Sequence, residues 1–198
     1  MNYLAHARLS FDQPEILVGN MISDFVKGKK QFIYPDLIQK GIRLHRAIDT
    51  FTDVHPVTQE LKSFFRPQYR LYCGAFADIV YDHFLANDPD EFAETTELVD
   101  FAWKTYRVLE NNKLLLPSPF QQMFPHMKTH DWLYQYRFTE GVRKSFVGLA
   151  FRAADIAETD IAFEVFNREY ERMGSCYNRF YPELKEFAYS QYDLLLKH

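Results

Sequence analysis

Two pairs of ionisable residues stand four positions apart in helix-like sequence. His45 and Asp49 bracket Arg46-Ala47-Ile48, and Asp78 and Asp82 bracket Ile79-Val80-Tyr81, with His83 following at once. Residues i and i+4 project from one face of an α-helix, one turn apart. The first pair can therefore offer an imidazole nitrogen and a carboxylate to one point, and the second can offer two carboxylates. Like charges held together repel, and a cation is the simplest remedy. Asp24, in Gly19-Asn20-Met21-Ile22-Ser23-Asp24, is a further acid among apolar neighbours. Burying such groups costs energy unless they are paired or metal-bound. Converging helices that carry them are how α-bundles build interior metal sites. Asp24, His45, Asp49, Asp78 and Asp82 are thus the candidate metal shell. A His/carboxylate set without Cys suits Mn²⁺, Mg²⁺ or Fe²⁺ better than structural zinc. The competing explanation is a set of surface ion pairs and caps, which is what a single such pair usually is.

Other polar residues carry weaker signals. His6, in Leu4-Ala5-His6, reads first as a packed N-terminal histidine and second as a ligand or proton carrier. Asp53 and His55 precede Pro56 and read as a turn and a cap for the next helix. His126 and His130 are four apart but lie in a Pro-rich stretch, and no site is expected there. Lys27, Lys29 and Lys30, with Lys40, Arg43 and Arg46 downstream, form the one basic concentration. It is either a solvated face or an anchor for phosphate or an acidic partner. Serine-nucleophile, P-loop and dinucleotide fingerprints are absent from the chain.

Helices must position these groups. Residues 14–27 read as a helix with Pro14 in its first turn, Asp12 as a possible cap and Gly28 as the stop. Residues 36–50 repeat apolar positions at Leu37, Ile38, Ile42, Leu44 and Ile48, and a third helix begins at His55-Pro56. Residues 68–86 and 90–111 carry broad apolar faces. A Pro-containing loop follows around Pro117 and Pro119, then helices at about 139–154 and 159–195. Pro182 is expected to kink or split the last of these. The fold class is all-α, a single-domain helical bundle over residues 1–198.

Composition agrees. Of 198 residues, 47% are hydrophobic and 25% charged, as in packed globular proteins and unlike disordered chains. Only 7 glycines and few alternating Val/Thr runs disfavour a sandwich or barrel. The formal charge of −4 argues against general nucleic-acid binding. No apolar run approaches the roughly 20 residues that cross a bilayer, and the N-terminus does not read as a signal peptide. Cys73 and Cys176 form no CxxC pair and read as reduced core thiols of a cytoplasmic protein. Oligomeric state is open.

An ordered set of segments is similar to a known family. Asn2, Leu4-Ala5-His6, Gly19-Asn20, Asp24-Phe25-Val26-Lys27-Gly28, Gly41-Ile42-Arg43-Leu44-His45-Arg46, Ile48-Asp49, Thr52-Asp53 and Asp82-His83-Phe84-Leu85 together resemble the acyl carrier protein phosphodiesterases. The likeness continues faintly through Trp132-Leu133, Arg137 and Phe180-Tyr181-Pro182. It implies an all-helical fold distantly related to HD-domain phosphohydrolases. It also implies hydrolysis of the phosphodiester joining 4′-phosphopantetheine to a serine of holo-acyl carrier protein, with Mn²⁺ as the usual cation. The sequence departs from the HD signature in two ways: Asp82-His83 stands where His-Asp is usual, and no helix-borne His precedes Asp24 unless His6 serves. A bound cation would acidify water and screen the phosphate oxygens. His6 or His83 is then expected to orient the phosphate or pass a proton to the leaving serine oxygen. Asn20, Lys27, Lys30, Arg43 and Arg46 are the expected substrate contacts. Two rivals stay open: the same chemistry on a nucleotide or other small phosphoester, and a non-catalytic helical binding module whose acids pair with its arginines.

Overall fold

The computed structural model describes residues 1–153, 156 and 158–197. Among these residues the chain forms eleven α-helices and no strand. They are α1 (Tyr3–Arg8), α2 (Pro14–Ile22), α3 (Asp36–Val54), α4 (Pro56–Tyr69), α5 (Cys73–Ala86), α6 (Thr95–Asn111), α7 (Ser118–Thr129), α8 (Trp132–Gln135), α9 (Thr139–Arg152), α10 (Asp160–Arg168) and α11 (Tyr170–Lys197). The all-α expectation holds. Short 3₁₀ turns at Ser23–Phe25 and Gly28–Ile33 carry the chain from α2 to α3.

Several local expectations change. Gln13, not Asp12, caps α2: its Oε1 accepts the Glu15 N–H at 2.9 Å. The Pro-rich stretch is not a loop, because Pro119 sits in the first turn of α7, where its missing N–H is not needed. The last predicted helix divides at Glu169 and runs on through Pro182. Burial of Tyr177, Phe180, Tyr181 and Leu184 around that proline outweighs the one backbone bond it removes. The predicted end of the helix near 154 lies outside the described residues. The helix expected over 14–27 ends earlier, at Ile22, and Gly28, with φ at 56°, opens the 3₁₀ turn Gly28–Ile33 instead of stopping a helix. His55 caps α4, its Nδ1 accepting the Val57 N–H, and Cys73 and Cys176 are free and buried.

The crossing of α2 and α3 is unusually tight. A Cβ on Gly19 would lie 2.1 Å from the Ile38 carbonyl oxygen, and one on Gly41 would lie 2.2 Å from that of Ile16. The two backbones therefore touch at a glycine pair. Asn20 follows Gly19, and His45 lies one turn beyond Gly41, so this contact delivers the one to the other.

Helix α1 has only six residues, too few to persist alone. Asp82 of α5 holds it. The fully buried carboxylate accepts the N–H groups of Leu4 at 2.7 Å and of Asn2 and Ala5 at 3.3 Å. Burial raises its pKa to about 7, against the pull of the Met1 α-amino group and these N–H donors. Asp82→Ala leaves the three donors without a partner and is expected to cost about 3 kcal/mol in urea unfolding. The pH dependence has a definite sign. A carboxyl that keeps its proton longer in the fold favours folding most at low pH and loses that contribution as pH rises through 7. The stability of wild type relative to Asp82→Asn should therefore fall between about pH 4 and 7.

Candidate metal centre

Two helices bring ligand-type side chains to one point. His6 comes from α1, and His45 and Asp49 from α3. One ligand atom from each lies within 4.8 Å of the others. His45 Nε2 stands 3.0 Å from Asp49 Oδ2 and 3.2 Å from Oδ1 of Asp24, on the 3₁₀ turn after α2. The two imidazoles stack, with centroids 3.8 Å apart and planes 15° from parallel.

Asn20 of α2 fixes both rings. Its side-chain amide donates to the His6 carbonyl at 2.8 Å and to Ser10 Oγ at 3.1 Å. That orients Oδ1 toward His6 Nδ1, 2.8 Å away. The Asn20 carbonyl, in the last turn of α2 and so free of the helical ladder, lies 2.7 Å from His45 Nδ1. Facing acceptors, both Nδ1 atoms carry hydrogen and donate. In His6, whose ring is neutral, Nε2 is then a bare lone pair turned toward Asp49, and His45 Nε2, between Asp24 and Asp49, becomes one when its proton is displaced. His6 Nε2 and Asp49 Oδ1 are buried and 3.2 Å apart, yet make no aligned hydrogen bond to each other or to anything else. Both atoms are aimed at a shared position instead. Ligand atoms spaced this way suit a cation with bonds of about 2.1 Å, and histidines braced through Nδ1 are the usual second layer of a metal site. The residues fit a divalent ion.

The charges agree. Burial, then the neighbouring His45, lowers the His6 pKa to about 4, against the attraction of Asp49. For His45 burial pulls downward, but Asp24 and Asp49 win and raise it to about 9. Burial would raise the Asp49 pKa, but His45 and His6 hold it far below the usual carboxylate range. The cluster thus keeps Asp49 anionic beside a cationic His45, whose Nε2 proton occupies the place a cation would take.

The remaining sequence candidates fall elsewhere. Asp78 is separated from the cluster by the Met1 α-amino group, which lies 3.0 Å from Asp78 Oδ1 and 3.5 Å from Asp49 Oδ1. Asp82 caps α1. His83 is buried away from the cluster, donating from Nδ1 to the Tyr136 carbonyl at 2.8 Å and accepting the Tyr170 hydroxyl at 2.9 Å. Asn20 is fully buried, so it braces histidines and does not reach outward. Arg46 is tied to the Val26 carbonyl and Gln31 Oε1, both at 2.9 Å. Lys27, Lys30 and Arg43 are exposed, alongside Lys29. The bracing role of Asn20 has no signature in spacing, because its partners sit on two other helices.

An all-helical protein with a His/His/Asp cluster and exposed lysines following Asp24 in the chain has the parts of a phosphoester hydrolase. The family of acyl carrier protein phosphodiesterases matches residues 1–184. Acyl carrier protein phosphodiesterases of Yersinia pestis and Photorhabdus laumondii are each 29% identical to the chain over 188 residues. These matches cover 95% of the chain and 97% and 95% of the two relatives. That of Pectobacterium atrosepticum is 28% identical over 191 residues. No solved structure matches. The protein is a phosphodiester hydrolase. The chain belongs to the acyl carrier protein phosphodiesterase family. Among the described residues, no helix is long and apolar enough to cross a membrane.

Proposed function

We propose that the protein releases 4′-phosphopantetheine from holo-acyl carrier protein, using a divalent cation, Mn²⁺ by preference, held by His6, His45, Asp49 and Asp24. The unpartnered His6 Nε2 and Asp49 Oδ1 carry this reading. It makes His6 a ligand and leaves Asp78, Asp82 and His83 as supports of the fold around the site.

A divalent cation supplies Lewis-acid charge against the phosphate and acidifies water near neutral pH. The chain does the rest. Asn20 locks both Nε2 atoms inward, so no reorientation is needed when substrate arrives. Asp24, its side chain 69% exposed, forms the open edge through which substrate enters. Lys27, Lys30 and Arg43 beside that edge attract the phosphate and an acidic partner surface. Water adds across the ester: its oxygen bonds to phosphorus, the bond from phosphorus to the serine oxygen breaks, and that oxygen leaves as the hydroxyl. The open edge favours a protein substrate over an enclosed small molecule. The enzyme acts in the cytoplasm, where its two thiols stay reduced.

Incubation with Mn²⁺ and holo-carrier protein should lower the carrier's mass by one phosphopantetheine, and EDTA should stop the reaction. An unchanged carrier mass at high enzyme concentration excludes this substrate. Turnover indifferent to chelation excludes the cation.

A further inference from the structure

The 3₁₀ turn Gly28–Ile33 carries two large apolar side chains into water. Phe32 is 65% exposed and Ile33 79%. Neither packs against the core, although Phe25 before them and Tyr34 after them do. Three exposed lysines, Lys27, Lys29 and Lys30, precede the pair. Among the described residues no carboxylate pairs with any of the three. Lys40, by contrast, is buried and paired with Asp36 at 2.8 Å. A protein of net charge −4 thus places unpaired positive charge and an apolar pair in one short segment.

The backbone beneath these side chains is fixed. Arg46 donates from one guanidinium nitrogen to the Val26 carbonyl and from another to Gln31 Oε1, both at 2.9 Å. Gln39 Nε2 donates to the Tyr34 carbonyl at 2.8 Å. The segment is therefore tied to α3 before, within and after the turn. The same bonds set its place relative to the cluster. Arg46 follows His45 on α3, and Val26 lies two residues after Asp24, whose Oδ1 stands 3.2 Å from His45 Nε2. Lys27 is three residues from Asp24, at most about 10 Å along the chain.

A fixed apolar centre with cations beside it matches the anatomy of a protein interface, in which an anchor loses its water and charges at the rim steer and orient. A membrane matches less well. Interfacial elements bury a long apolar helix face, and a six-residue turn with two apolar side chains does not supply one.

We propose that segment 27–33 docks the protein substrate: Phe32 and Ile33 seat in an apolar patch of the carrier protein, and Lys27, Lys29 and Lys30 meet acidic groups around it. The assignment rests on the reading of holo-acyl carrier protein as the substrate. It makes Phe32 and Ile33 determinants of which protein is accepted.

Isothermal titration of the full chain with apo-carrier protein tests the assignment, because that probe keeps the protein face and lacks the phosphodiester. Phe32→Ser combined with Ile33→Ser should weaken binding at least about tenfold, the scale of a desolvated anchor. Both side chains are exposed, so the double variant should melt as wild type does. Lys29→Glu should also weaken binding and flatten its dependence on salt. Equal affinity in wild type and double variant overturns the docking surface, as does a wild type that does not bind apo-carrier protein. Sedimentation with phosphatidylglycerol vesicles that the double variant loses, with apo-carrier binding unchanged, assigns the patch to a membrane and overturns it too. Binding that depends on Phe32 and Ile33, without mass loss from holo-carrier protein, supports the surface and refutes the proposed reaction. Mass loss with equal binding in both proteins refutes the surface and keeps the reaction.

Discussion

Asp49→Asn should abolish turnover of holo-carrier protein, with a loss of at least about a thousandfold. Asp49 touches both histidines of the cluster and supplies its deepest negative charge. An amide keeps the shape and removes the charge that a cation needs. Metal removal gives a second readout that does not depend on substrate. At a hundred times its dissociation constant, a ligand bound only by the fold adds about 2.7 kcal/mol. For a chain of this size that corresponds to roughly 5–10 °C in melting temperature. EDTA should lower the wild-type Tm by that amount and leave Asp49→Asn unmoved. A purely ion-paired module behaves differently: the substitution destabilises it, but EDTA does nothing to the wild type.

Gly41→Ala is expected to cost about 3 kcal/mol and to weaken Mn²⁺ binding, although it touches no ligand. The added methyl would sit 2.2 Å from the Ile16 carbonyl oxygen and 2.9 Å from the Gly19 Cα. Both obstacles are backbone, so no rotamer relieves the clash and the helices must part. Parting them draws the Asn20 carbonyl away from His45 Nδ1, and loss of such bracing typically reduces metal affinity 10–100-fold. Gly148→Ala on exposed α9 is the control. Nothing lies within 4 Å of its Cβ, so the better helix former should stabilise by about 0.5–1 kcal/mol. Denaturant melts of the two variants should move in opposite directions. Equal and small shifts would falsify the account of the tight crossing.

The fold was largely legible because helical periodicity is local. Leu37, Ile38, Ile42, Leu44 and Ile48 mark one face of α3 without reference to any other segment, and four of the five are fully packed. The α7 stretch misled because Pro117 and Pro119 were read as a loop, whereas Phe120, Phe124 and Met127 bury a helical face. Within the candidate site, His45 and Asp49 were readable as a pair on one turn, and their joint approach follows from spacing alone. Asp78 and Asp82 have the same spacing and a different fate. The Met1 α-amino group answers one and three backbone N–H groups answer the other, and neither partner carries a side-chain signal. The place of His6 depends on a helix too short to be read from pattern. The question of a histidine ahead of Asp24 was open in sequence; the structure sets His6 beside His45 by packing α1 against α2.

The six-residue α1 has a consequence for when the His/His/Asp cluster forms. Because Asp82 holds that helix from 77 to 80 residues down the chain, His6 reaches His45 only after α5 has docked. Emerging polypeptide therefore offers scattered imidazoles and carboxylates but no chelating trio. Loading of the proposed cation would thus be a late event, coupled to completion of the tertiary structure.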